Sequence, residues 1–180
     1  MIKLKLKKNA KKIDKFLLKF LKKQEKSLLI APMKYGIVSG GKKIRSTIIF
    51  DTGKMLKVEE KKLLSICTAV ECIHSYSLIH DDLPCMDNDL VRRGKPSTHK
   101  KFGEATAVLA GNSLLTLAFE IISDEKNFIS NKQKNEIINL LSFCSGHTGI
   151  AGGQELDLKF ENKRKKLNQI IDMQKKKTGR

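Results

Sequence analysis

From Ile13 onward, apolar residues return every three or four positions along nearly the whole chain, the spacing of one face of an α-helix. Ile13, Phe16, Leu17, Phe20 and Leu21 form the first stripe, with lysines between them. The same spacing predicts a helix through Ile44, Ile48 and Ile49, another over 59 to about 80, and a third long one from Ala105 to Ile122. Glu59 and Glu60 suit the positive N-terminal end of their helix. A further helix is expected from Lys132 to about Cys144, then a basic amphipathic segment from about Lys163 to Lys176. No stretch alternates apolar and polar residues well enough to predict a strand. Ser39-Gly40-Gly41, Pro84, Gly94 to Pro96, and Gly146, Gly149, Gly152 and Gly153 are expected to interrupt the pattern. With 3 Pro and 12 Gly in 180 residues, the expectation is one all-α domain over residues 1–180.

The formal charge is +17, from 36 Lys and Arg against 19 Asp and Glu, which favours an anionic partner. Most of the excess is Lys, which a solvated surface also explains. No aromatic residues interleave with the lysines as base stacking would require, so a nucleic-acid partner is not expected. Cys67, Cys72, Cys85 and Cys144 form no CxxC pair and no zinc spacing. Cys67, Cys72 and Cys144 lie among apolar residues and fit reduced core thiols. The N-terminus lacks the apolar run of a secretion signal. The most apolar stretch, Ala105 to Ile122, carries Asn112, Ser113 and Glu120 and fits a buried helix better than a membrane span. A cytoplasmic location is expected.

The most informative stretch is Ser77 to Gly94, SLIHDDLPCMDNDLVRRG. Asp81, Asp82, Asp87 and Asp89 place four carboxylates within nine positions, beside Leu78, Ile79, Leu83 and Met86. Carboxylates that interrupt an apolar helix are expected to line a cavity, where a hard divalent cation offsets their charge. Magnesium takes oxygen ligands, keeps several waters, and bridges one or two carboxylates to substrate phosphates. Arg92 and Arg93 follow at once, with forked donors suited to phosphate oxygens. The plainer reading is a surface capping cluster balanced by the two arginines. An EF-hand is disfavoured, because its glycine and terminal glutamate are absent.

DDLPCMDNDLVRRGKPSTH resembles the first aspartate-rich motif, DDxxxxD followed by RRG, of bacterial farnesyl diphosphate synthases, members of the trans-prenyl diphosphate synthase family. The likeness extends upstream through ECIHSYSLIH and downstream through KFGEATAVLAGNSLLTLAFE. GGKKIR at 40–45, GGQELD at 152–157 and KTG at 177–179 agree with it in order, so the resemblance covers roughly residues 40 to 180.

The resemblance implies an isoprenoid-synthase helical bundle around a central cavity, incomplete at its C-terminus, and usually a homodimer. It implies condensation of an allylic diphosphate with isopentenyl diphosphate, assisted by Mg²⁺. By match to the motifs, Asp81 and Asp87, with Asp82 beside them, would hold the metal, and Arg92 the allylic diphosphate. Lys42, Arg45, His74 and Arg93 would contact isopentenyl diphosphate, and Lys177 and Thr178 the leaving diphosphate. His74 and Asp81, seven apart, share a helix face. Gln154 and Asp157 are expected near the metal site. Tyr76, with Ser77, would floor the cavity and limit the product to farnesyl diphosphate.

Some residues depart from the family pattern. Lys43 and Ser46 replace the usual Arg and Pro of the glycine-rich motif, and Asn88 and Leu90 stand where further aspartates are common. The sequence stops at Arg180 without a second DDxxD motif, so a fragment or a natural truncation is expected. Alternatives to a complete synthase are a diphosphate-binding or regulatory subunit, an inactive fragment, and an enzyme making the geranyl or geranylgeranyl product.

Overall fold

The computed structural model describes residues 2–38 and 40–179, so Ser39 of the expected glycine-rich turn lies outside the described residues. Contacts divide the chain into two compact units, Met1–Ile129 and Ser130–Arg180.

In the first unit, α1 (Ile2–Leu21) buries Asn9, Ile13, Leu17 and Leu21, a stripe four residues apart, and leaves most of its lysines exposed. Phe16 and Phe20 flank the stripe and are half-buried. A short helix not expected from the sequence, α2 (Ile30–Val38), follows. Its Pro32 sits in the first turn, where a missing N–H costs nothing. Next comes α3 (Ile44–Met55), at the expected place but turned about its axis. Ser46, Thr47, Phe50 and Gly53 are buried, whereas Ile44 and Ile48 are 53% and 60% exposed. Small residues win that face because α3 lies close against α4: a side chain at Gly53 would run into Leu63.

The central element is α4 (Glu60–Asp81), opened by Glu59 and Glu60 as expected and packed by α1, α2, α3 and α6. Its long partner, α6 (Glu104–Ser123), buries Ala107, Ala110, Gly111, Leu114, Leu117, Ala118, Ile121 and Ile122 at helical spacing. Burying each large aliphatic side chain contributes about 2 kcal/mol. The His80 ring fills the space a Gly111 side chain would need, and its Nε2 lies 3.1 Å from the Val108 carbonyl. By length and composition α4 and α6 are each apolar enough to cross a membrane, and here they pack against each other. Cys67 and Cys72 are buried in α4, Cys85 is exposed, and all four cysteines are free. Burial, reinforced by the Glu71 charge, pushes the Cys67 thiol up to about 12, and burial pushes Cys72 up as well.

Between α4 and the short α5 (Thr98–Phe102) lies a strand pair that period alone does not predict, β1 (Val91–Arg92) and β2 (Lys95–Pro96). Val91 faces Pro96 and Arg92 faces Lys95, antiparallel. Two-residue strands are too short to show alternation. The turn between them, Arg93 and Gly94, has φ of 55° and 75°, the left-handed pair that matches strand twist in a tight hairpin.

In the second unit, α7 (Asn131–Ser145) begins with a capping box between Ser130 and Gln133, followed by α8 (Ile150–Phe160) and α9 (Leu167–Gln174). A π-helical turn, Lys175–Gly179, ends the described chain. Gly152 and Gly153, expected to break the pattern, lie inside the first turn of α8. The backbone of Lys177 occupies the space where a Gly153 side chain would stand, so this glycine serves close packing rather than a break.

Candidate active site

Helix α4 delivers Asp81 and Asp82 at its C-terminal end, where the last carbonyls carry partial negative charge and repel carboxylates. Pro84 cannot continue the helical ladder, and the chain folds back on itself. The Asp87 amide donates to the Asp81 carbonyl at 2.9 Å, and the Asn88 amide to that of Leu83 at 3.1 Å. Asp81 is half-buried, Asp82 is buried, and Asp87 and Asp89 are exposed.

That concentration of negative charge is answered first by Arg92. Its Nε donates to Asp82 Oδ1 at 2.8 Å, its Nη2 donates to the same oxygen, and Nη2 reaches Asp89 Oδ2 at 3.1 Å. The Asp82 hydrogen bond, with the nearby carboxylate charges, raises the Arg92 pKa further. Among the described residues no three His, Cys, Asp or Glu side chains converge as a ready cage. Oxygen donors from Asp81 and Asp87, at a helix end that disfavours anions, still fit a magnesium ion that keeps most of its waters.

The tight hairpin sends adjacent arginines to different places. Arg92 turns to the aspartates, whereas Arg93 donates through Nη1 to the Gly40 carbonyl. The Tyr35 hydroxyl donates to the Pro96 carbonyl at 2.7 Å and ties the hairpin to α2. Arg93 thereby closes one wall of a second feature, a cleft of about 510 Å³ lined by the Gly40–Arg45 turn, Glu71, His74 and Arg93. Lys42 and Arg45 are both exposed on this turn. No side chain caps the start of α3 and its first turn holds no acidic residue, so its amides suit an anion. Burial, then the charge of Arg45, lowers the His74 pKa to about 4; Arg93 and Lys43 push the same way and Glu71 opposes them. Three cations thus surround an imidazole that is neutral at pH 7.

Tyr76 is buried on α4, its ring edge-on to His80 at 5.6 Å. Burial, then the charge of Asp81, raises its pKa. Ser77, half-buried, donates to the His74 carbonyl at 3.0 Å. In the second unit, Lys177 donates to Asp157 at 2.6 Å, joining the GGQELD and KTG segments that lie 20 residues apart. Thr178 is exposed, and Gln154 is buried with no hydrogen-bond partner on either amide atom.

Sequence reasoning missed a buried charge cluster under the cleft. The Lys43 ammonium lies 3.4 Å from Glu71 Oε2 and 3.7 Å from Asp14 Oδ1, and Ser46 donates to Glu71 Oε1 at 2.6 Å. The available signal was Glu71 itself, a single acid inside the apolar run ICTAVECI.

The polyprenyl synthetase family matches residues 26–180. The chain is 49% identical over 147 residues to the farnesyl diphosphate synthase of Buchnera aphidicola subsp. Acyrthosiphon pisum, covering 81% of this chain and 52% of that one. It is 46% identical over 152 residues to that of Escherichia coli, covering 84% and 51%. The fold matches an FPP/GFPP synthase from Zymomonas mobilis with a TM-score of 0.93 at 41% identity, over 99% of this chain and 66% of that chain. A geranyltransferase from Legionella pneumophila gives 0.94 at 36% identity, over 99% and 64%. The chain therefore spans about half the length of the curated relatives it matches. With the family matched over most of its length and its helical fold shared with these solved structures, the chain belongs to the polyprenyl synthetase family.

Proposed function

We propose that this protein condenses an allylic diphosphate, dimethylallyl or geranyl, with isopentenyl diphosphate to form farnesyl diphosphate. One observation carries the reading. Adjacent arginines part company, Arg92 to an aspartate loop and Arg93 to a cationic cleft, so two anion-binding features stand side by side on one hairpin. The loop suits a diphosphate held through a metal, and the cleft suits one held by side-chain cations directly.

In this reading Asp81 and Asp87, with Asp82 beside them, hold Mg²⁺, and Arg92 turns its remaining donors to the allylic diphosphate. When bound, Mg²⁺ neutralises charge building on the departing diphosphate. Lys42, Arg45, His74 and Arg93 hold isopentenyl diphosphate, with Lys177 and Thr178 assisting the leaving group and Gln154 lining the substrate site. The allylic C–O bond breaks and its electron pair leaves with diphosphate. The isopentenyl double bond attacks the cation, and a proton lost from the new adduct restores a double bond. Tyr76 and Ser77 floor the apolar cavity and limit chain growth. No side-chain nucleophile enters the scheme. We place the protein in the cytoplasm as a homodimer, its two compact units belonging to one domain, without a nucleic-acid partner or a membrane span.

The test is incubation of the purified protein with Mg²⁺, geranyl diphosphate and labelled isopentenyl diphosphate. Labelled farnesyl diphosphate is expected, and Asp81→Ala abolishes it. Mg²⁺-dependent retention of geranyl diphosphate without any product would instead identify a diphosphate-binding subunit.

A further inference from the structure

The Gly40–Arg45 turn holds one non-glycine residue in left-handed backbone. Gly40 and Gly41 have φ of 94° and 126°, and Lys43, with a Cβ to accommodate, has 46°. Left-handed backbone in a non-glycine residue persists when its surroundings enforce it. Lys42 and Arg45 lie exposed on either side, while the Lys43 side chain turns inward and is 4% exposed. Its ammonium donates to the Ile37 carbonyl at the end of α2 at 2.8 Å and lies 3.4 Å from Glu71 on α4. Asp14 on α1 stands 3.7 Å away, an ion-pair distance too long for a hydrogen bond. Ser46, on the first turn of α3, donates to the other Glu71 oxygen at 2.6 Å. One buried cation therefore joins all four of these helices beneath the cleft.

We propose that Lys43 is a positioning residue, whose buried tether to Glu71 and Ile37 holds the turn in the conformation that presents Lys42 and Arg45 to a diphosphate beside Arg93. This rests on the reading of the cleft as the isopentenyl diphosphate site. Lys43 itself does not touch the ligand. A buried ion pair of this kind contributes little net stability compared with an apolar replacement, so its use here is geometric.

That difference makes the proposal testable. Lys43→Met alone strands the Glu71 carboxylate and risks unfolding. The double variant Lys43→Met/Glu71→Gln removes both charges together and is expected to fold with a melting temperature near that of the parent. Its KM for isopentenyl diphosphate is expected to rise roughly tenfold, the weight of one well-placed ionic contact, with the KM for geranyl diphosphate unchanged. Amide hydrogen exchange across residues 40–46 is expected to accelerate in the same samples, and Lys43→Arg to keep parental values in all three measurements. A folded double variant with parental exchange and parental KM overturns the proposal. If the parent protein turns over no isopentenyl diphosphate, the functional reading fails by itself. Exchange across 40–46, with equilibrium dialysis of inorganic diphosphate, then decides the role of Lys43: faster exchange with weaker retention upholds it, and unchanged exchange refutes it.

Discussion

The amide of Asp87 donates to the carbonyl oxygen of Asp81 at 2.9 Å, so the loop that leaves α4 returns to the helix end it came from. The bond is made by backbone atoms, and it brings the outer two aspartates of the motif together whatever their side chains are. The middle aspartate has a different duty, since buried Asp82 is ion-paired to Arg92.

Substitutions in this loop should therefore separate into two kinds. Asp81→Asn and Asp87→Asn keep the melting temperature within a degree or two and lower turnover by roughly 10²-fold or more, as loss of charge stabilisation in a transition state does. Asp82→Asn takes the buried carboxylate from Arg92, which keeps only exposed Asp89, and lowers stability by about 2 kcal/mol, a value reduced from that of a fully buried pair because Arg92 is part exposed. Thermal melts and initial rates on the three variants check this. Equal destabilisation by all three would show that the loop is held by its charges rather than by its backbone.

Arg93 depends on a glycine far away in sequence. A Cβ at Gly41 would stand 2.7 Å from Arg93 Cζ and 3.0 Å from Nη2, and Gly41 has φ of 126°. Gly41→Ala is expected to displace the guanidinium and raise the KM for isopentenyl diphosphate roughly tenfold, the loss of one charged contact. Gly94→Ala is the control, because its φ of 75° is strained but its Cβ meets nothing within 4 Å. It is expected to cost about 1 kcal/mol of stability and leave that KM within a factor of two or so. Steady-state kinetics with both variants decides between them.

His74 sets an acid dependence. Its pKa falls from 6.5 to about 4 on folding, so the unfolded chain binds the proton more readily. The group is neutral in both states above 6.5, and its contribution is fully present there. Stability is lost as pH falls from 6.5 toward 4, by at most about 3 kcal/mol. Melting temperatures measured across this window should drop less in His74→Gln than in the parent. Parallel curves would mean that other groups carry the acid sensitivity.

Tyr76 is 8% exposed, and burial, then the charge of Asp81, raises its pKa. Tyr76→Ala is expected to cost about 3 kcal/mol and, if Tyr76 floors the substrate cavity as proposed, to lengthen the prenyl product. Tyr76→Phe keeps the volume and should keep the product. Chromatography of the products tests the assignment, and unchanged chain length in Tyr76→Ala would remove Tyr76 from the floor.

Much of this protein was legible in its sequence because the relevant physics is local. Helical period marked α1, α4, α6 and α7, since each buries one stripe or is apolar nearly all round, and the stripe is written within a few turns. The Asp81–Arg93 motif was legible because its carboxylates and guanidiniums are close in the chain. The short α2 and the Arg93–Gly94 hairpin were not, being too brief for a period to show.

Tertiary structure alone decided which face of α3 turns inward, because close packing against Leu63 and a hydrogen bond to Glu71 outweigh the burial that Ile44 and Ile48 would otherwise seek. It alone seated Arg93 at the Gly40 carbonyl, 53 residues away, and set Lys43 between Asp14 and Glu71. A charge reveals its burial only through what surrounds it, and here the partners are distant in sequence, beyond the reach of any local pattern.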